Sequence, residues 1–246
     1  MAGAVETLLK CGAEALRVVS RGATFMKEMA VLGFPCQFGG VAYAPFDYLG
    51  DFLRGTLGIM LDIYRRPDKL LQAIEKLVPY IIRGAVGAAK ATGIPAVFIP
   101  LHKGLDGFMS PAHFRTFYWP TLRKVILSLI DEGLIPSVLW EGDCTSRLET
   151  ISDIPKGKAV YAFERTDIFK AKEVLGDTVC IRGNVSPSLL NLGSPEEVKE
   201  YCKKLINIVG KGGGFIMDGA IGIPDEAKPE NVKAMAESVR KYGIYA

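Results

Sequence analysis

From residue 68 onward, short apolar runs alternate with amphipathic runs at helical spacing, and few folds accept that alternation. Residues 68–91, D-K-L-L-Q-A-I-E-K-L-V-P-Y-I-I-R-G-A-V-G-A-A-K-A, place apolar side chains at helical spacing. Asp68 follows Pro67 at its start, and Pro79 predicts a kink or break inside it. A-V-F-I-P-L (96–101) then reads as a buried strand. S-P-A-H-F-R-T-F-Y-W-P (110–120) opens a helix with a Ser cap and Pro at the first helical position. That helix continues through L-R-K-V-I-L-S-L-I-D-E to Gly133, and P-S-V-L-W follows as the next strand.

Shorter units repeat the pattern. T-S-R-L-E-T-I reads as helix, K-A-V-Y-A-F as strand, and D-I-F-K-A-K-E-V-L as a helix starting on Asp167. T-V-C-I-R-G is a strand, and S-P-E-E-V-K-E-Y-C-K-K-L-I-N-I-V a helix with Ser194 and Glu197 as a capping box. G-G-F-I-M-D is a strand and P-E-N-V-K-A-M-A-E-S-V-R-K-Y a closing helix. F-P-C-Q-F-G-G-V-A-Y (34–43) supplies a sixth strand. Continuous apolar strands joined by helices predict a parallel sheet covered by helices, either doubly wound or a (β/α) barrel. No G-x-G-x-x-G or Walker lysine motif is present. G-K-G-G-G-F (210–215) precedes a strand, where a phosphate cradle would follow one.

Composition enters by exclusion. The net charge of +3 over 246 residues, with no long Lys/Arg run, predicts no nucleic-acid partner. No apolar stretch reaches membrane-spanning length, so no membrane partner is expected, and the N-terminus lacks a signal-peptide pattern. Five scattered cysteines without a C-x-x-C pair argue against a disulfide framework and predict a cytoplasmic location.

In a parallel α/β fold, ligands meet the residues just past the C-terminal ends of the strands. Here those residues are His102; Glu141 and Asp143 after Trp140; Glu164 and Arg165; Arg182 and Asn184; and Asp218. Each has a plain alternative: Asn184 and Asp218 as turn formers, Glu164 with Arg165 as a solvated pair, His102 as a loop residue, Cys144 as packing. His113, beside Phe114 and Phe117, reads as structural. Glu141 is the foremost candidate, because W-E-G-D sets it between a bulky apolar residue and a glycine at a strand's end. The ensemble suits two chemistries, a divalent metal with N/O ligands or general acid–base work by carboxylates whose pKa burial raises.

R-G-N-V-S-P-S-L-L-N-L-G-S-P-E-E-V, G-G-G-F-I-M-D-G-A-I-G-I-P, K-P-E-N-V-K-A-M, M-S-P-A-H-F-R-T-F-Y-W-P-T-L-R-K-V-I and A-P-F-D-Y-L-G-D-F-L-R-G together resemble the uroporphyrinogen decarboxylase superfamily over nearly the whole chain. The resemblance implies a (β/α)8 TIM barrel, here incomplete with about six strands, forming one domain over 1–246 with an N-terminal helical segment at about 1–30. It implies either porphyrin decarboxylation or zinc-dependent methyl transfer involving corrinoid proteins. The decarboxylase's R-Q-A-G-R and F-S-D stretches have no counterpart here, which leaves its carboxylate substrate without guanidinium partners. The methyltransferases' H-x-C-G is matched by Leu139-Trp140-Glu141-Gly142, and Ile221 stands at their second cysteine. Glu141 thus occupies a metal-ligand position as a harder, oxygen donor.

The expectation is therefore a corrinoid-dependent methyltransferase-like enzyme moving a methyl group between a small O-methyl substrate and a corrinoid protein partner. Glu141, Asp143 and Asp218 are its expected catalytic residues. Arg182, Asn184 and Trp140 would bind substrate, and Glu141, Glu164 and His102 would hold zinc. The alternatives are a uroporphyrinogen decarboxylase-like lyase of porphyrin biosynthesis and an inactive truncated family member. A helix over residues 1–30 covering the gap, or a homodimer, would protect the exposed sheet edges of an incomplete barrel.

Overall fold

The computed structural model describes residues 2–34 and 36–244, so Pro35 of the expected first strand lies outside the described residues. The chain divides into two compact units, Met1–Phe38 and Gly39–Ala246. The first contains one helix, α1 (Ala2–Val31), supported along its length by pairs one turn apart such as Glu6–Lys10 at 2.9 Å.

The second unit is built on six strands: β1 (Gly40–Val41), β2 (Ala96–Leu101), β3 (Ile135–Trp140), β4 (Val160–Phe163), β5 (Cys180–Arg182) and β6 (Phe215–Ile216). All pair in parallel, and spatial order equals sequence order. A doubly wound sheet reverses direction at a switch point, so an unreversed order belongs to the barrel type. The sheet is not closed, because β1 and β6 are its two edges. Both edges are only two residues long, which limits the unpaired backbone they present.

Helices fill the connections. Between β1 and β2 lie α2 (Pro45–Tyr48), a π-helical turn at Leu49–Leu53, α3 (Thr56–Arg65) and α4 (Pro67–Thr92). After β2 come α5 (Pro111–His113), a second π-helical turn at Phe114–Tyr118, and α6 (Trp119–Asp131). A short 3-10 turn at Thr145–Arg147 leads into α7 (Leu148–Ile151), and α8 (Ile168–Leu175) follows β4. Then α9 (Pro187–Leu192) and α10 (Pro195–Ile208) precede β6, and α11 (Pro229–Tyr242) closes the chain.

The expected caps form. Ser110 accepts from His113 N, Asp167 from Phe169 N and Lys170 N, and Ser194 and Glu197 make both bonds of a capping box. Pro79, however, does not break α4. One unbroken stripe, Leu70, Ile74, Val78, Ile81, Ala85 and Ala89, is buried along the helix. Burial of that continuous face outweighs one lost backbone hydrogen bond. The strands are covered unevenly. Along β2, Val97, Ile99 and Leu101 are buried while Ala96, Phe98 and Pro100 are only half-buried, whereas Tyr161, Ala162 and Phe163 of β4 are buried in succession. No helix of the described residues is long and apolar enough to cross a membrane, and all five cysteines are free thiols.

Candidate functional site

The C-terminal ends of β2, β3 and β4 bring three of the expected residues into one cluster. Leu101 hands the chain to His102, and the His102 backbone N–H donates to Asp47 Oδ2 at 2.8 Å. The His102 ring presents Nδ1 to Asp51 Oδ2 at 2.7 Å and Nε2 to Glu141 Oε1 at 3.8 Å. A carboxylate facing Nδ1 makes that nitrogen the donor, which leaves Nε2 to face Glu141. Glu164 lies behind Glu141, and its Oε2 accepts from Gly142 N at 2.7 Å.

Gly142 aims Glu141. Its φ of +71° turns the chain at the end of β3, and a Cβ there would lie 3.2 Å from the Cβ of Leu105. Gly142→Ala should therefore cost about 1–2 kcal/mol from the left-handed backbone alone. Thermal denaturation should show the loss, and the Gly142 N–H to Glu164 bond should weaken with it.

The charges of the cluster follow from this packing. Glu141 is half-buried, and its carboxyl is held above the usual range, first by desolvation. The Glu164 and Asp51 carboxylates push it the same way, while His102 opposes them. Burial would also raise Asp51, but hydrogen bonds and charge from Lys103 and His102 prevail and hold it below the usual range. Lys103 is itself buried and ion-paired with Asp51. Asp47 has no exposed surface, and burial pushes it up to about 6.

Sequence reasoning missed Asp47, Asp51, Lys103 and Tyr118. A signal existed for the first two: D-Y-L-G-D spaces two acids four residues apart, as one helical face requires. Asp51 and Tyr118 sit in the two π-helical turns, at Leu49–Leu53 and Phe114–Tyr118. Such turns insert an extra residue into a helix and recur at functional sites.

Five other residues expected in the site, Trp140, Asp143, Asn184, Arg182 and Asp218, are engaged with the rest of the fold. Trp140 is fully buried rather than open to substrate, with its ring 5.5 Å from that of Tyr161 and 6.4 Å from those of Trp119 and Phe114. The side-chain alternation of β3 turns it into the core, whereas Glu141, one residue on, faces His102. Asp143 is exposed and caps its own turn, accepting from Thr145 N at 2.9 Å and Thr145 Oγ1 at 2.6 Å. Asn184 braces the loop after β4, donating to Glu164 O and Thr166 O and accepting from Tyr201 Oη at 2.8 Å. Arg182 and Asp218 bind each other, with Arg182 Nε 2.5 Å from Asp218 Oδ2, and Asp218 also caps Gly219 N.

The zinc expectation meets the same test. Among the described residues, no three His, Cys, Asp or Glu side chains gather as a metal-holding group. Glu164 is committed to Gly142 N, and His102 Nδ1 to Asp51. The expected set of Glu141, Glu164 and His102 therefore shares one cluster without gathering as a metal-holding group, and no chemical step is assigned to a metal.

A groove of about 940 Å3 runs beside β6 and is lined by Gly212, Phe215, Met217 and Tyr242. Neither His102, Glu141 nor Glu164 lines it.

The geometry can be set beside known proteins. The family described as uroporphyrinogen decarboxylase (URO-D) matches residues 9–242. A uroporphyrinogen decarboxylase of Aromatoleum aromaticum is 28% identical over 183 residues, covering 73% of this chain and 50% of that protein. One from Chlorobium phaeovibrioides is 27% identical over 210 residues, covering 83% and 58%. The chain thus spans about half the length of the curated relatives it matches. Among solved structures, a methyltransferase from Methanosarcina mazei superposes with a TM-score of 0.70 at 22% identity, covering 83% of this chain and 59% of that one. At that identity the likeness concerns the fold.

Proposed function

The chain belongs to the uroporphyrinogen decarboxylase family, and from that membership we propose that it moves a methyl group between a small O-methyl substrate and a corrinoid carried by a partner protein. The observation that carries the reading is Glu141: a half-buried carboxyl, held protonated to higher pH than usual, beside His102 at the mouth of the sheet.

An alkoxide or phenoxide is a poor leaving group, so breaking an O–CH3 bond needs a proton on the oxygen. Glu141 in its acid form donates that proton as both electrons of the bond move to oxygen, and the product leaves as an alcohol or phenol. A reduced corrinoid on the partner, when bound, would supply the electron pair that takes up the methyl group. His102 faces Glu141 through Nε2 and is steadied by Asp51 through Nδ1, which places a base where Glu141 exchanges its proton.

The local charge balance favours a small neutral donor. Lys103 pairs with Asp51, Arg182 with Asp218, and Arg165 with Glu164. A substrate rich in carboxylates would have to displace these partners and approach Glu141 as well. The competing reading, a uroporphyrinogen decarboxylase-like lyase, rests on the curated relatives.

One experiment separates the two. The protein is incubated with a reduced corrinoid protein and a panel of methyl ethers, and in parallel with uroporphyrinogen. Formation of methylcorrinoid together with the demethylated alcohol or phenol supports methyl transfer. Release of carbon dioxide from uroporphyrinogen without methyl transfer overturns it.

A further inference from the structure

We propose that Asp47 is a positioning residue that holds the His102 ring between Asp51 and Glu141 by accepting from the backbone N–H groups of residues 102 and 103 and from the Tyr118 hydroxyl. The inference deepens the acid–base reading of the same site. Its test uses ligand-free protein, so a failed methyl-transfer assay and a failed positioning test are separate results.

Asp47 lies on α2, two residues after the Pro45 that opens the helix. Its two oxygens take three donors: Oδ2 accepts from His102 N at 2.8 Å and Tyr118 Oη at 2.5 Å, and Oδ1 from Lys103 N at 3.1 Å. A carboxylate is suited to this task because it is acceptor-only and offers two oxygens. The groups that set its charge are Tyr118 from the second π-helical turn and His102 and Lys103 from the end of β2. Asp51, one turn further along its own segment, shares Lys103 and His102 with it.

The two residues that Asp47 holds by their backbones are the same two whose side chains meet Asp51. A shift of that backbone would move the imidazole and the ammonium together. Tyr118, fully buried, stacks on Phe114 with centroids 5.3 Å apart and so fixes the far side of the carboxyl. Protonating Asp47 converts part of an acceptor into a donor and loosens the arrangement.

The sign of the linkage follows from the raised carboxyl. Its contribution to stability is fully present below the ordinary value of 3.8 and is lost as pH rises through about 6. Wild type minus Asp47→Asn should therefore show a stability difference that slopes across that window and is flat outside it.

The decisive test is NMR of the histidine rings, because the chain has only two, His102 and His113. His113→Gln assigns them, since its ring packs between Tyr64 and Phe117 rather than in the cluster. At pH 7.5 wild type should give one His102 tautomer with a downfield Nδ1–H. Asp47→Asn, which keeps the shape but not the second acceptor oxygen, should lose that signal while His113 is unchanged. Tyr118→Phe, which leaves both backbone bonds intact, should retain it. An Asp47→Asn protein with an unaltered His102 spectrum overturns the proposal.

If Asp47→Asn does not fold, Asp47→Glu, which keeps both acceptor oxygens on a longer arm, takes its place. A displaced His102 Nδ1–H signal with His113 unchanged supports the proposal, and an unaltered His102 spectrum overturns it.

Discussion

If the chain transfers methyl groups as proposed, Glu141→Gln should lower kcat by about 10²-fold or more, the usual contribution of a positioned general acid, with KM little changed. Glutamine keeps the size and the polar surface of the side chain but has no proton to give. The pH profile supplies the sharper check. With the acid form active, the wild-type rate should fall as pH rises through the raised pKa of Glu141. The variant should lack that limb, and its residual rate should be nearly flat there. A variant with wild-type kcat and an unchanged limb would remove Glu141 from the chemistry. The same variant should unfold close to the wild-type temperature, because among the described residues no hydrogen bond ties the Glu141 side chain to another element and His102 Nε2 is 3.8 Å away.

Arg147→Met should destabilise the fold by about 3 kcal/mol, the lower end of the cost of breaking a buried charged pair. For a chain of this length that corresponds to a fall in Tm of roughly 6–12 °C, at about 2–4 °C per kcal/mol. Arg147 is almost completely buried after β3, and burial holds its guanidinium below the usual value. It reaches back to the loop after β2, donating from Nε to Gly104 O at 3.3 Å and from a terminal nitrogen to Met109 O at 2.5 Å. Its Nε lies 3.1 Å from Asp106 Oδ1, and its plane sits 4.7 Å over the Phe114 ring.

Methionine fills the space but leaves those carbonyls without a donor. Asp106 is partly solvated and keeps its bonds from Ser146 N and Oγ, so the cost stays below that of stranding a buried anion. A Tm within 2 °C of wild type would show that the loop does not depend on the guanidinium. The loop bounds the site, because Leu105 is the neighbour that a Cβ at residue 142 would meet.

Much of the fold was legible because its determinants are local. The Ser110, Asp167 and Ser194 caps act over two or three residues, and the strand–helix alternation is carried by short-range periodicity. The break that Pro79 allows does not occur, because its local penalty is visible in sequence whereas the buried stripe of α4 that overrides it exists only after packing. The candidate site was legible in part for a related reason. The end of a parallel strand is a place that sequence can mark, and His102, Glu141 and Glu164 do meet there.

Which way each side chain turns is a different matter. Trp140 and Glu141 are adjacent in sequence, yet the pleat sends one into the core and the other towards His102. Asp143, Asn184 and Asp218 are polar strand-end residues whose hydrogen-bonding capacity is taken up by Thr145, Tyr201 and Arg182.

The sequence alone therefore determined the parallel strand–helix plan, the capped helix starts and the carboxylate at the end of β3, since each rests on residue type and near-neighbour spacing. The tertiary structure decided the rest. Asp47 is 55 residues from His102 and 71 from Tyr118, so only folding brings these three together. Removing them from water together then moves the Asp47 carboxyl up to about 6, because desolvation acts on assembled groups and has no counterpart in the extended chain.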